Sequence, residues 1–139
     1  FDFLEEIEDI FVAAKDYLRN LKARGIQKDH ILQSSTLMLL DKNNMTRQYI
    51  DDYLQENQII IKDSIDISDM DLLIDFARIG VGVACVIKNF VREDLENGTL
   101  VEIPLGFPIH KREVGFAYKT TTKPSKSLAE FIHFYKTYR

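Results

Sequence analysis

Hydrophobic and polar positions divide most of the chain into short strands and helices. Residues 7–14 are a predicted strand. Apolar runs of strand length occur at residues 36–40 and 81–87, and the last run is continuously apolar and partly β-branched. Such a run is typical of a strand that is covered on both faces. A helix that begins near residue 45 or 46 has an apolar face, formed by Ile50, Tyr53 and Leu54. Strands that alternate with helices predict parallel βαβ units in an α/β sheet.

The segment of residues 68–105 gives the most detailed prediction. Ser68 can cap a helix by accepting a hydrogen bond from an early N–H, and Asp71 favours the positive helix end. The buried face of this helix is one stripe, formed by Met70, Leu73, Ile74 and Ala77. Gly80 ends the helix, and a strand, a second helix and another strand follow at residues 81–87, 89–96 and 100–105.

Weaker patterns complete the prediction. Isoleucines alternate with polar residues over residues 59–67, which indicates a half-buried strand. Residues 15–24 form a polar connection, helical or irregular, and residues 112–119 are a predicted strand. A terminal amphipathic helix is predicted from the spacing of Leu128, Phe131, Ile132 and Tyr135.

Composition narrows the class of protein. With 139 residues, of which 45% are hydrophobic, the chain can build the core of one ordinary domain. No apolar run approaches the roughly 20 residues of a membrane-spanning helix. The formal net charge of -4 speaks against direct binding of nucleic-acid phosphates by this segment. The single cysteine excludes an internal disulfide and fits a reducing cytoplasm.

Six segments, in this order and spacing, resemble the second half of the effector-binding domain of LysR-type regulators. They are I-F-V-A-A-K, L-M-L-L-D-K-N-N-M-T-R, I-D-I-S-D-M-D-L-L-I, R-I-G-V-G-V-A-C-V-I, E-N-G-T-L-V-E-I and F-I-H-F-Y. The resemblance implies an α/β fold, the flavodoxin-like half of a type-two periplasmic-binding-protein fold. Its mostly parallel sheet would carry helices on both faces.

The resemblance also implies a domain division. Residues 8–111 correspond to the second effector-domain half, essentially complete, and residues 1–7 and 112–139 correspond to the hinge and a remnant of the first half. The family's N-terminal winged helix-turn-helix and the opening elements of its first half have no counterpart here. Because the first residue is Phe1 rather than Met, we expect a fragment of a longer protein.

The candidate ligand face lies where the strands end. In open α/β sheets, ligands sit beyond the carboxyl ends of the strands, where helix N-termini offer unpaired N–H groups. The resemblance implies that the residues at these positions of the family pattern bind the effector. They are Asn43, Asn44, Thr46, Ile67 and Ser68. The alternative is that these polar residues serve only as helix caps. The neighbouring Arg47 either pairs with an anionic effector or is a solvated surface residue.

The helix that begins near residue 69 has a second apolar stripe, formed by Leu72, Phe76 and Ile79. Either this helix is buried within the monomer, or the stripe is a subunit interface. The resemblance favours a homo-oligomer, because this helix packs against a partner subunit in LysR effector domains.

Other candidate chemistry is weak. The glycines of residues 80–82 follow a helix and precede a strand, whereas a dinucleotide loop requires a strand, a glycine turn and then a helix. Cys85 lies in an apolar strand, which predicts a buried, inert thiol. No metal-ligand spacing connects the three histidines, His30, His110 and His133. We therefore expect no cofactor, no metal and no catalysis, and the acid-rich runs at residues 5–9 and 92–96 are expected to be solvated.

These patterns and the resemblance predict a ligand-sensing effector-binding domain of a LysR-type bacterial transcription regulator. It would act in the cytoplasm, bind a small organic anion, form a homo-oligomer, and contact DNA only through a winged helix-turn-helix domain absent from this chain. The alternative is a solute-binding protein of an uptake system with the same fold. A small α/β enzyme is a further alternative, disfavoured because no set of nucleophile, base and orienting residue is evident.

Overall fold

The structure, a computed structural model, describes the backbone of residues 2–117 and the side chains of residues 6–112. The terminal helix predicted from Leu128 to Tyr135 lies outside the described residues. Within them, strands β1 to β7 span Asp2–Ile7, Asp9–Ala14, Thr36–Leu40, Asp63–Ile67, Val83–Ile87, Leu100–Glu102 and Arg112–Ala117. Helices α1 to α5 span Lys15–Ala23, Ile31–Ser34, Met45–Glu56, Met70–Arg78 and Arg92–Asn97. In this part of the chain, no helix is both long and apolar enough to cross a membrane.

Five strands form one sheet in the order β4-β3-β5-β2-β6. Strand β3 runs parallel to β4 and β5, whereas β2 runs antiparallel to both of its neighbours, β5 and β6. Because β5 and β6 both oppose β2, they share one direction, so β2 is the single reversed strand. The prediction of a mostly parallel sheet is confirmed. Strands β1 and β7 pair with each other as a separate antiparallel ribbon.

Helices cover both faces of this sheet, as predicted. Successive side chains of a strand point to opposite faces, and along β2 Ile10 and Val12 join one core cluster while Phe11 and Ala13 join another. The first cluster is closed by α4, through Leu73, Ile74 and Ala77. The second is closed by α3, through Ile50, Tyr53 and Leu54. The helical stripes read from the sequence are therefore the buried ones.

The edge strand β4 departs from the prediction. It begins only at Asp63, so Ile59 and Ile61 lie outside the strand, although both pack partly against the core. Ile65 is 41% exposed, and only Ile67 of this strand is buried. The alternating pattern fails because β4 is the edge of the sheet, where the covering helices reach only its last residue.

The N-cap of helix α4 lies one residue later than predicted. Asp69, rather than Ser68, is the N-cap, and its carboxylate accepts a hydrogen bond from the Leu72 N–H at 2.8 Å. The helix ends as predicted, since Gly80 has φ +83° and the Val81 N–H bonds back to the Phe76 carbonyl at 3.1 Å. The next predicted helix is split into a 3-10 turn, Lys88–Val91, and α5.

Two carboxylates in the acid-rich runs are buried, contrary to expectation. Asp94 of α5 is 8% exposed and accepts two hydrogen bonds from Arg78 of α4, each of 2.9 Å. Asp9 is 2% exposed. A carboxylate is buried at tolerable cost only when it is paired, and the sequence pattern did not reveal either partner.

A test of the sheet packing is to replace Gly82 with alanine. An added Cβ would overlap the carbonyl oxygen of Thr36 on the neighbouring strand β3. We expect Gly82→Ala to lower the free energy of unfolding by about 1–3 kcal/mol in urea denaturation. The control is Gly106→Ala, where an added Cβ meets no atom within 4 Å. Equal stability of the two variants would contradict the close approach of Gly82 to β3.

A second test concerns Cys85, which is 4% exposed in β5. Burial raises the pKa of its thiol well above the ordinary value, and the nearby negative charge of Asp9 adds to the effect. Because the thiolate is the reactive species, we expect native labelling by a thiol reagent at neutral pH to be far slower than labelling in urea. Similar rates in the two conditions would place Cys85 at an accessible surface.

Candidate functional site

The strand ends that could form a ligand site meet at one edge of the five-stranded sheet. Leu40 at the end of β3 pairs with Ile67 at the end of β4. Because β2 is reversed, its first residue, Asp9, pairs with Ile87 at the end of β5. We call this row the carboxyl edge. The helices α3 and α4 both begin just beyond it.

The loop after β3 is held to the end of β4 by hydrogen bonds. The Asp41 N–H donates to the Ile67 carbonyl at 3.0 Å, and the Asn44 N–H donates to the Asp41 carbonyl at 3.1 Å. The Asp41 carboxylate accepts from the Asn43 N–H at 3.2 Å. The two segments that the sequence assigned to one ligand face are therefore adjacent in the fold.

The predicted site residues of α3 have different roles. Asn44 is the N-cap, and its side-chain oxygen accepts from the Thr46 N–H at 2.8 Å. Asn43 is exposed, and its backbone N–H is taken by Asp41. The hydroxyl of Thr46 is half-buried and accepts a hydrogen bond at 2.9 Å from Arg112, the first residue of β7. The capping interpretation thus describes Asn44, whereas Thr46 contacts a distant segment.

The two predicted site residues before α4, Ile67 and Ser68, differ in exposure. Ile67 is 4% exposed and its side chain lies in the core, so only its backbone faces the carboxyl edge. Ser68 is exposed and precedes the Asp69 cap, which leaves its hydroxyl accessible. Ser68 is thus one of two exposed polar side chains at this position, beside Asp69.

Arg47 is a buried clamp rather than a solvated residue. Its guanidinium donates to the Leu40 carbonyl at 2.9 Å, to Asp66 at 2.6 Å and to Asp51 at 2.9 Å. Burial alone would lower the pKa of this group, but the hydrogen bonds to the two carboxylates outweigh it and raise the pKa. Arg47 therefore fixes the start of α3 against β3 and β4.

Sequence reasoning missed the ion pair at the centre of the edge. Arg112 donates to the two carboxylate oxygens of Asp9, from Nε at 2.7 Å and from Nη2 at 3.1 Å. The side chain of Asp9 is fully buried and that of Arg112 is 18% exposed. The pair joins the end of the β1–β7 ribbon, where Ile7 pairs with Arg112, to the start of β2.

An aromatic ring supports this ion pair. The guanidinium carbon of Arg112 lies 5.4 Å from the centroid of the Tyr49 ring, a cation-π distance. Burial and the negative charge of Asp9 raise the pKa of Tyr49, so its hydroxyl stays protonated and donates to the His110 carbonyl at 2.7 Å. One signal in the sequence could have pointed to this cluster, namely an acid, Asp9, directly before the apolar residues 10–14.

The predicted interface stripe is only partly exposed. Ile79 is 74% exposed and Leu72 is 39% exposed, whereas Phe76 is half-buried and packs against the core. Ile65 of the neighbouring edge strand adds to the exposed apolar surface.

The chemistry of the carboxyl edge is hydrogen bonding. Its polar side chains include the hydroxyls of Thr46 and Ser68, the carboxylates of Asp41 and Asp69, and the guanidinium of Arg112, which a carboxylate holds in place. Within residues 6–112, no three His, Cys, Asp or Glu side chains are grouped so that they could hold a metal ion. Such an arrangement suits the binding of a small polar molecule.

Comparison with known families identifies this fold. Residues 4–139 match the LysR substrate binding domain family. No curated protein matches the sequence at a significant level.

Solved structures agree with the family match. The regulatory domain of a HypT mutant from Salmonella typhimurium has a TM-score of 0.65 at 18% identity, over 98% of this chain and 66% of that chain. The Synechocystis CcmR regulatory domain in complex with 2-PG has a TM-score of 0.65 at 11% identity, over 96% of this chain and 64% of that chain. Full-length HypT, a hypochlorite-specific LysR-type transcriptional regulator, has a TM-score of 0.64 at 19% identity, over 98% of this chain and 46% of that chain.

The chain thus spans slightly less than two thirds of the regulatory domains it matches and about half of the full-length regulator. At these identities the likeness concerns the fold, which is periplasmic-binding-protein-like, as predicted. The family match concerns nearly the whole sequence, and with it the chain belongs to the LysR substrate binding domain family.

Proposed function

We propose that this chain senses a small molecule as part of a LysR-type transcription regulator and carries out no catalysis. The observation that carries the proposal is the family match over residues 4–139. The similar solved structures are regulatory domains, which favours a regulator over a solute-binding protein for uptake. The regulator would act in the cytoplasm, where it would contact DNA through a winged helix-turn-helix domain outside these 139 residues.

Residues 8–111 would be the second half of the effector domain, and residues 1–7 and 112–139 would be the hinge and a remnant of the first half. Two features support this division. The chain enters and leaves the five-stranded sheet through the paired strands β1 and β7, and β2 is the single reversed strand of that sheet. In the whole effector domain, a ligand that closed the cleft between the two halves would shift the population of subunit arrangements.

The effector would bind at the carboxyl edge, in contact with Asn43, Asn44, Thr46, Ser68 and the backbone of Ile67. The segments that lead into α3 and α4 are joined there by the Asp41–Ile67 hydrogen bond, and they offer helix-start N–H groups together with the hydroxyls of Thr46 and Ser68. Donor groups and two positive helix ends favour a small organic anion. The regulatory domain of CcmR, which shares this fold, is described in complex with 2-PG.

A second copy of the chain would cover the exposed face of α4. Leu72 and Ile79 are exposed there, and Ile65 extends the apolar surface onto the edge strand β4. Phe76 would contribute from a half-buried position. An edge strand with unpaired backbone groups beside an apolar helix is well suited to pairing with another subunit.

The ligand site is tested with a panel of small organic acids, sugars and amino acids in thermal unfolding. A ligand at 100 times its Kd adds about 2.7 kcal/mol to stability, which gives a clear rise in Tm. We expect an organic acid to give this rise, and Thr46→Ala to weaken its binding about tenfold by removing one hydrogen bond. In the intact regulator, the same change should weaken the response to the effector and leave DNA binding in place.

The control is Thr99→Ala, which removes a hydroxyl next to β6, at the opposite edge of the sheet. This variant should bind the acid as the wild type does. Stabilisation by a sugar or an amino acid alone, or equal loss of binding in both variants, would contradict the proposed site.

The subunit face is tested by sedimentation of the double variant Leu72→Glu/Ile79→Glu. Burying each of these side chains is worth about 1.5–3 kcal/mol, so two buried charges should shift the chain to monomer. Ile60→Glu is the control, because Ile60 is 80% exposed but does not lie on α4. A wild-type chain that is monomeric at micromolar concentration would remove the basis for this face.

A further inference from the structure

The guanidinium of Arg112 has donors that its partners leave unused. An arginine presents five N–H groups in a fixed planar fork. The Nε–H and one Nη2–H bind the two oxygens of Asp9, and the other Nη2–H binds the hydroxyl oxygen of Thr46. The Nη1 group has no partner among the described residues.

The fork fixes where one free N–H points. Nε and Nη2 form the side of the guanidinium that faces Asp9, so the second Nη2–H and one Nη1–H form its end and point in nearly the same direction. The Nη2–H of that end is directed at the Thr46 oxygen. An acceptor atom bound to the parallel Nη1–H would therefore lie beside this hydroxyl, within O–H···O hydrogen-bonding distance.

The same contact sets the role of the Thr46 hydroxyl. A hydroxyl has one donor and two acceptor lone pairs, and its hydrogen rotates to suit. The Arg112 guanidinium donates to one lone pair of the Thr46 hydroxyl oxygen at 2.9 Å. The hydrogen of the hydroxyl points away from the guanidinium and is available to an acceptor on a ligand.

We propose that Arg112 Nη1–H and the Thr46 hydroxyl together bind a single oxygen of an oxyanion, a carboxylate or a phosphate. Arg112 is then a specificity-determining residue of the ligand site, because it offers a donor and makes Thr46 a second donor. This proposal rests on the proposed function and deepens it. The oxyanion would connect α3, which carries Thr46, with β7, which carries Arg112.

The surroundings hold the guanidinium ready for a ligand. Asp9 is fully buried and binds it side-on, while the Tyr49 ring lies over one face. An oxyanion can then approach in the plane of the guanidinium, where the unused N–H lies. Since Asp9 balances the charge of Arg112, the position of the two donors selects the ligand more than net charge does.

The test is an NMR titration of the 15N-labelled chain with sodium acetate and, separately, with inorganic phosphate. Sodium chloride keeps the ionic strength constant and serves as the reference. We expect saturable shifts of the Arg112 Nε–H and of the Thr46 amide with at least one of the two oxyanions. Acetate identifies a carboxylate ligand as the source of this chemistry, and phosphate a phosphorylated one.

Matched variants separate donor chemistry from structure. Thr46→Val keeps the shape and loses the hydroxyl, so the dissociation constant should rise about tenfold or more, whereas Thr46→Ser should restore binding. Arg112→Lys keeps the charge but not the fork and should also weaken binding. The control Lys111→Gln removes an adjacent exposed charge, which lies 3.7 Å from the Glu6 carboxylate, and should bind normally.

Three results would overturn the proposal: no saturable shift with either oxyanion, equal binding by Thr46→Val and Thr46→Ser, or normal binding by a folded Arg112→Lys. The two Thr46 variants leave the Asp9 pair intact, so the test holds even if Arg112→Lys fails to fold. The proposed function is judged separately. If an organic acid stabilises the chain through Thr46 but Arg112→Lys binds it normally, the function stands and this inference fails.

Discussion

The ion pair between Asp9 and Arg112 is the constraint on which the arrangement of this domain depends. Asp9 is buried at the start of β2, an interior strand of the sheet, and removing one partner of such a pair costs about 3–5 kcal/mol. The chain therefore has to bring Arg112 back to this point across a sequence separation of 103 residues. That requirement fixes the end of the β1–β7 ribbon against the sheet. It also places the start of α3 next to β7, through Thr46 and Tyr49.

A second arginine, Arg47, also connects separate elements at the carboxyl edge, on the side of β3 and β4. Its hydrogen bonds connect α3 to the ends of β3 and β4. The loop between β3 and α3 is therefore fixed at both of its ends. The exposed groups of that loop can then be presented in a fixed geometry. Rigid support under a polar loop is what ligand recognition requires, because ordering a mobile loop on binding would reduce affinity.

The core of the fold could be predicted because it follows local periodicity. The stripes on α3 and α4 and the apolar strands β3 and β5 each lie within a dozen residues of sequence, so each pattern carries its own signal. The length of the edge strand β4 was overestimated, because alternation in sequence does not reveal which elements cover a strand. Ser68 and Asp69 are both good caps, and the sequence alone does not distinguish between them.

The site was predicted in outline but not in its central residues. Thr46 was assigned by position in the family pattern, whereas Asp9 was taken as part of a solvated acidic run and Arg112 was not considered. Their partnership depends on the return of a distant strand, and no local pattern encodes it. Arg47 was misjudged for the same reason, since Asp66 lies 19 residues away in sequence and reaches it only in the folded sheet.

The reversed strand has a consequence for how the domain forms. Strand β2 comes first in sequence among the five strands of its sheet, yet its neighbours β5 and β6 span Val83–Ile87 and Leu100–Glu102. Strands β3, β4 and β5, joined by α3 and α4, can associate through much shorter loops. Closing a long loop costs entropy before the contacts that reward it are made. Strand β2, which carries Asp9, is thus synthesised before the other four strands of its sheet, and it pairs with β5 and β6 last.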